Sequence, residues 1–370
     1  MRVNPDPDAM RALFVLFVCS LLTLAAQAQR VVFINPGQHD ETYWVTAGEA
    51  MQQAARSLGQ SFEQQFAERD PERALQIARE LAARPAARRP DYVVLVNEKG
   101  TLVEASRILA SAGIKSFAAF NGLLPQERLA WSPRQGLPLL IGSLEPRAED
   151  AGYLTARALI MQGRRMRLQA ADGKLHLLAI SGDRSTPVSI ARTEGMRRAV
   201  AEQPDVVLDR VAFGDWRKDL AAEQASEMLA AYPEARLLWA GSDQMAFGAM
   251  QVARTRQLEP GRQMLFSAIN TSPEAMQARI SGELSALAGG HFLCGAWSLV
   301  MIHDHHHGRD FKDLGLMQQQ GMFTLFSEQD ARRFLVRHGK GLNGLDFRRY
   351  SRVLNPSLAR YAFDAQVLLR

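Results

Sequence analysis

The sequence predicts an α/β fold of two lobes, each a doubly wound parallel sheet, and three observations carry that prediction. Short apolar runs alternate with segments of helical period along most of the 370 residues. The alternation comes in two successive sets, each large enough for a sheet with helices on both faces. After an apparent export signal only Cys294 is left, so no internal disulfide can form and burial must hold the fold, which about 340 residues can supply as two domains.

The signal reading rests on Arg2 and Arg11, an apolar run over 13–24 interrupted by Cys19, Ser20 and Thr23, and the small-residue pattern Ala26-Gln27-Ala28. Residues 1–28 are therefore expected to be a cleavable signal peptide, with Met10 as an alternative start, and the mature chain to be exported, a placement that the family resemblance given below makes periplasmic. About a dozen apolar residues fall short of the ~20 that a membrane span needs, which disfavours an uncleaved anchor. Lipid attachment at Cys19 would want a small residue where Val18 stands.

The first set opens with a strand over 31–34, then a helix marked by Val45, Gly48, Met51, Ala55 and Leu58 at spacings of three or four. A strand over 61–67 follows, then a helix over 71–83 opened by Asp70-Pro71, and a buried strand over 91–96. A helix over 102–112 stops at Gly113, a strand runs over 114–120 to Asn121-Gly122, and a strand over 138–142 completes the set. The second set has helices over 147–161, 188–201, 217–230 and 245–253, alternating with strands over 175–180, 206–213, 236–240 and 264–269. A further helix spans 293–307.

In parallel α/β sheets, ligands sit beyond the carboxyl ends of the strands. The residues there are 38–44, Asn97-Glu98-Lys99, Asn121, 182–192, Gly214-Asp215-Trp216, Gly241-Ser242-Asp243 and Asn270-Thr271. Amides, aromatic rings, an arginine and few carboxylates suit a polar neutral or anionic small molecule held by hydrogen bonds and stacking. Tyr43 and the polar loop before Trp44 favour a stacking role for the indole over one in the core. Arg192, early in a helix, offers a planar fork for hydroxyls or a carboxylate. Asn121 serves either a ligand or the Asn-Gly turn, and Asp243 either ligand hydroxyls or the helix N-terminus. Gln38, Trp216, Ser242 and Asn270 complete the candidate set.

The stretches 31–59, 91–98 and 110–121, the run Ser189-Ile190-Ala191-Arg192-Thr193-Glu194-Gly195-Met196, and 241–249 together resemble the type I periplasmic solute-binding proteins. This sugar-binding superfamily includes ribose-binding protein, and the resemblance spans 31–321. Pro36-Gly37-Gln38 and Tyr43-Trp44-Val45 are similar to the opening of the autoinducer-2 receptors, in which the matching Trp and Gln line the ligand site. Asn121 and Arg192 also fall where those receptors use Asn and Arg. Their second ligand Arg would fall near Gly289-Gly290 and their other pocket Trp near Ile269-Asn270, and both are missing here. Against ribose-binding protein, Asn121 and Asn270 replace carboxylates and Ser242 replaces an Asn.

The resemblance implies a periplasmic-binding-protein-like fold of type I. One lobe would comprise 29–143 plus 291–321 and the other 144–290 plus 322–345, with a three-strand hinge near Ser143, Gly290 and Met322. Residues 346–370 read as a tail packed on a lobe. The implied function is capture of a small, sugar-like solute between the lobes by a monomer, for an ABC-type importer whose permease is the membrane partner. A ligand sensor serving a membrane kinase or cyclase is the alternative, and an exported enzyme on the same scaffold the third reading.

Other chemistries find little support. The net charge of +5 and pI near 9.4 could suggest nucleic acid, but basic residues are interspersed with acidic ones, as in Arg69-Asp70-Pro71-Glu72-Arg73. In His303-Asp304-His305-His306-His307 only His303 and His307 have the spacing of a shared metal face, and histidines also suit a helix's negative end. Gly339-Lys340-Gly341-Leu342-Asn343-Gly344 matches a dinucleotide fingerprint but follows a predicted helix, so it reads as a turn. No phosphate loop, nucleophile elbow or zinc-protease motif occurs. Neither cofactor, metal nor catalytic residue is expected.

Overall fold

The computed structural model describes residues 28–342 and 344–369, so the expected signal segment up to Gln27, with Cys19, lies outside the described residues. Among these, no helix is long and apolar enough to cross a membrane. The chain begins with β1 (Arg30–Asn35), α1 (Thr42–Leu58), β2 (Ser61–Phe66), α2 (Pro71–Ala83), β3 (Tyr92–Leu95), α3 (Leu102–Ser111) and β4 (Lys115–Ala119). A short pair, β5 (Ser132–Pro133) and β6 (Gly136–Leu137), precedes β7 (Leu140–Pro146). Next come α4 (Ala148–Arg165), β8 (Leu175–Ser181), α5 (Pro187–Ala201), β9 (Val206–Phe213), α6 (Lys218–Ala231), β10 (Leu237–Ala240) and α7 (Asp243–Thr255). The chain continues with β11 (Leu265–Ile269), α8 (Pro273–Ser281), β12 (Leu284–Gly289), α9 (Cys294–His306), β13 (Met317–Gln320), β14 (Thr324–Leu325) and α10 (Glu328–His338).

Two six-stranded sheets result. The first has the order β13-β7-β4-β3-β1-β2, with every neighbouring pair parallel. The second is β14-β12-β11-β10-β8-β9, parallel except for the antiparallel edge strand β14. Both sheets are covered on both faces, which explains why their strands read as unbroken apolar runs. In β1, Val31 and Phe33 join one buried cluster while Val32 and Ile34 join another beneath α2 and α3. In β8, Leu178 and Ile180 face α6 and α7, whereas Leu177 and Ala179 face α4 and α5.

Local chemistry fixes the helix ends. Asp70 accepts from the backbone of Glu72 ahead of Pro71, and α1 ends on Gly59 in the left-handed conformation (φ 68°). Helix α9 is buried from Cys294 through Asp304, so it is apolar on all sides rather than amphipathic.

The chain passes between the sheets three times. β7 stays in the first sheet as far as Pro146, so the first passage lies three residues beyond the expected Ser143. The others fall around Gly290 and over 321–323. The C-terminal segment does not pack on one lobe alone. At its start, Asp304 of α9 accepts from Ser351 Oγ (2.5 Å), Arg352 N (2.6 Å) and Tyr361 OH (3.1 Å). At its end, Gln366 donates to Thr324 (3.2 Å) and Leu368 O lies 3.2 Å from the His338 ring. The segment therefore bridges the two sheets.

Candidate functional site

In the first sheet the strand order reverses between β1 and β3, and in the second between β8 and β10. Side chains just beyond the carboxyl ends of the strands on either side of these reversals converge on one cavity. The first lobe contributes Glu41, Tyr43, Trp44, Arg69, Glu98, Phe120 and Asn121. The second contributes Arg192, Trp216, Ser242, Asp243 and Asn270, with His291 at the passage between them.

The two tryptophans are seated by glycines. A Cβ on Gly37 would collide with the Trp44 indole, and one on Gly182 with that of Trp216. Asn35, fully buried, fixes the first loop by accepting from Gly37 N (3.0 Å) and donating to Trp44 O (3.2 Å). Trp44 is 4% exposed and meets Tyr43 and Phe120 edge-on, with centroids 5.0 and 5.1 Å apart; it is thus both core and cavity wall. Trp216 Nε1 donates to Asp183 (2.8 Å).

Arg192 is set deep by a close helix pair. A Cβ on Gly152 of α4 would strike Arg192 O, and one on Gly195 of α5 would strike Glu149 O. Its Nη1 donates to Gly241 O (2.7 Å) and its Nη2 to His291 Nε2 (2.8 Å). Since arginine only donates, Nε2 accepts and the proton of the neutral ring sits on Nδ1. Burial, then the charge of Arg192, holds His291 well below the usual imidazole range, so the ring is neutral. It is stacked between Tyr43 (4.8 Å) and Phe323 (4.6 Å). Burial lowers the Arg192 guanidinium to about 10.

Three residues that line this cavity each carry a buried N–H without a hydrogen-bond partner among the described residues: Trp44 Nε1, Arg192 Nε and His291 Nδ1. Acceptors stand beside them. Asp243, pushed up by burial, accepts from Asn270 (2.9 Å). Arg69 donates to Glu41 (2.5 Å) and Glu98 (2.7 Å), and burial raises Glu98 in spite of that arginine. Asn121 Oδ1 accepts from Val188 N at the start of α5 (3.2 Å), a hydrogen bond from one lobe to the other. Such a cavity can bind a polyhydroxylated ring.

Of the residues expected from the sequence, Tyr43, Trp44, Asn121, Arg192, Trp216, Ser242, Asp243 and Asn270 all line this cavity, whereas Gln38 does not. Gln38 is exposed at the wider mouth, because its carbonyl accepts from Glu41 N in the turn that starts α1. The N-terminal cap of α7 is Ser242, accepting from Met245 N (3.4 Å), so Asp243 is free of that role. Arg69 and His291 were missed. The carboxyl-end rule applied to β2 would have raised Arg69; His291 follows β12, a strand that the sequence pattern did not reveal.

The model of the periplasmic binding protein domain family matches residues 31–305. The chain belongs to the periplasmic binding proteins. A periplasmic sugar-binding protein from Pseudomonas fluorescens is 39% identical, with a TM-score of 0.83 over 92% of this chain and 100% of that one. The galactofuranose-binding protein of Escherichia coli is 25% identical over 123 residues, 32% of this chain and 39% of that relative's length. The arabinose-transporter binding component from Shewanella sp. ANA-3, bound to arabinofuranose, has 17% identity and a TM-score of 0.67 over 82% of this chain and 93% of that one. The last of these is a likeness of fold alone. In this periplasmic binding protein the facing strand ends of the two sheets enclose a cleft whose wall is built by loops.

Three histidines of the 303–307 tract have hydrogen-bond partners within the protein. His303 Nδ1 lies 3.2 Å from Asp304, His305 Nδ1 is 2.9 Å from Tyr92 OH, and His307 Nδ1 is 2.8 Å from His303 O at the helix end.

Proposed function

We propose that this periplasmic binding protein captures a small, sugar-like solute between its lobes and delivers it to an ABC-type importer in the inner membrane. The observation that carries the reading is the set of three buried, unpartnered N–H groups set among flat rings and carboxylates. Each such donor is costly to leave unmade, on the order of 1–3 kcal/mol, so the cavity favours a ligand rich in acceptor oxygens. A sugar ring supplies these, supplies hydroxyl donors for Asp243 and Glu98, and lays its C–H face on Tyr43, Trp44 or Trp216. Asn121, Arg192, Ser242 and Asn270 would fix its orientation, and Gln38 would meet it only at the mouth. The sugar-binding relatives support the same class.

Because the ligand touches both lobes, its preference for the closed arrangement drives closure about the three passages. The test is a thermal-shift screen of pentoses, hexoses, polyols and small carboxylates, followed by calorimetry on each compound that raises the melting temperature. A sugar is expected to bind one per chain. A screen in which only non-sugar compounds bind, or no compound binds, would overturn the proposal.

A further inference from the structure

A second polar cluster lies at the amino end of β8, the end of the sheet remote from the cleft. His176 is 12% exposed at its side chain; its Nδ1 lies 2.9 and 3.1 Å from the two oxygens of Asp209 and 3.9 Å from Glu234 Oε1. On the far side of the ring, Nε2 is 3.3 Å from Asp172 Oδ2. Four segments supply these groups: the connection from α4 to β8, β8 itself, β9, and the connection from α6 to β10. Asp209, with a side chain 7% exposed, is placed by a β-bulge. Leu177 pairs with Leu208 and Leu178 with Arg210, so Asp209 is the extra residue of β9. Bulges re-aim side chains in this way.

The imidazole is what separates this cluster from a chance group of acids. When Asp172 accepts the Nε2 proton, Nδ1 faces the carboxylates of Asp209 and Glu234, and this position is filled either by a second proton or by a metal cation that the same three groups can ligate. Among the described residues no lysine or arginine forms an ion pair with any of the three carboxylates. Donor atoms of His176, Asp209 and Glu234 all lie within 4.8 Å of one another. We propose that His176, Asp209 and Glu234 bind a first-row transition-metal dication of the zinc type, with Asp172 as the positioning carboxylate. The carboxylate–imidazole–metal arrangement fixes the tautomer and strengthens the ligand. One imidazole with two carboxylates discriminates against magnesium and calcium, which prefer all-oxygen shells. Glu234, 42% exposed, leaves a side open for water. The ion would pin the bulged edge strand β9 to β8 and to the start of β10.

The experiment is calorimetric titration of the tag-free, chelator-stripped protein with ZnCl2, with CaCl2 and MgCl2 as controls. One equivalent of zinc is expected to bind, with no heat from the controls. His176→Gln and Glu234→Gln should abolish binding or weaken it by more than tenfold, and Asp172→Asn should weaken it about 10- to 100-fold. Glu234→Gln alters an exposed side chain, so it stays interpretable if His176→Gln unfolds; circular dichroism verifies each fold. Absence of zinc binding overturns the proposal, as does binding unchanged in folded Glu234→Gln. Loss of binding in His306→Gln/His307→Gln instead would place the zinc on the α9 tract and overturn it equally.

Discussion

Replacing Arg192 by methionine should separate stability from binding. Its guanidinium, ordinarily near 12.5, is lowered to about 10 by burial, so keeping the charge at neutral pH costs the apo fold about 3 kcal/mol. Methionine removes that cost, but it also removes the hydrogen bonds to Gly241 O and His291 Nε2. Bonds from a charged donor contribute about 1.5–3 kcal/mol each. The two sides offset, and the net loss of stability is expected to be at most about 3 kcal/mol. Ligand affinity has no such compensation. The donor without a partner, Nε, disappears, and the affinity should fall by about 1.5–3 kcal/mol, or roughly 10- to 150-fold. Urea unfolding gives the first quantity, and calorimetry with the tightest-binding sugar of the screen gives the second. Arg192→Lys should recover little, because an ammonium cannot reach Gly241, His291 and a ligand with one planar fork. A folded Arg192→Met protein that binds within twofold of the parent would refute this account of the site.

Trp44→Phe keeps an aromatic ring against Gly37 but deletes the unpartnered Nε1–H; sugar affinity should drop by about 1 kcal/mol, and calorimetry showing no change would remove Trp44 from the ligand's partners. Asp304→Ala strips the acceptor from Ser351, Arg352 and Tyr361, so about 3 kcal/mol or more of stability should be lost, with new protease cleavage within 346–369. Asp310 is held down to about 2 by hydrogen bonds from Arg134 (2.6 and 2.9 Å), and with a third of its side chain exposed the pair contributes only about 1 kcal/mol. Its carboxylate has a depressed folded value, so that contribution is present above about 4 and is lost as the pH falls through about 2. Asp310→Asn should therefore be less stable than the parent at pH 7 by urea unfolding, with the difference shrinking below pH 4.

The parts of the fold legible in the sequence are those whose burial leaves a pattern. Strands buried on both faces, such as β1 and β8, read as apolar runs, and Asp70-Pro71 marked α2 to the residue. β12, Leu284-Ser-Ala-Leu-Ala-Gly, is as buried as they are, yet its small residues carry little strand preference. β13, Met317-Gln-Gln-Gln, is a polar edge strand without an apolar run. The site shows the same division. Residues following recognised strands were found, including Asn121 and Arg192. His291 was hidden because β12 was, whereas Arg69, two residues past a recognised strand and left-handed (φ 61°), was within reach of the carboxyl-end rule. The Arg192–His291 contact joins residues 99 positions apart, and no local pattern encodes such a pairing.

The two lobes use one device in equivalent places. At each reversal of strand order the chain leaves its strand, β1 or β8, through a glycine, Gly37 or Gly182, against which a tryptophan lies. A glycine there lets the ring approach the backbone, and the backbone in turn fixes the plane of the ring. The rings are thus positioned before any ligand arrives, and little side-chain entropy is lost on binding. The polar groups follow the opposite logic. Asp243, Glu98 and Glu41 already have protein partners, whereas three donors do not. A cavity whose carboxylates each have a protein partner, while three N–H groups have none, is biased toward ligands by their acceptor oxygens. Selectivity among sugars should therefore depend on where those oxygens stand relative to Trp44, Arg192 and His291 more than on the total number of hydroxyls.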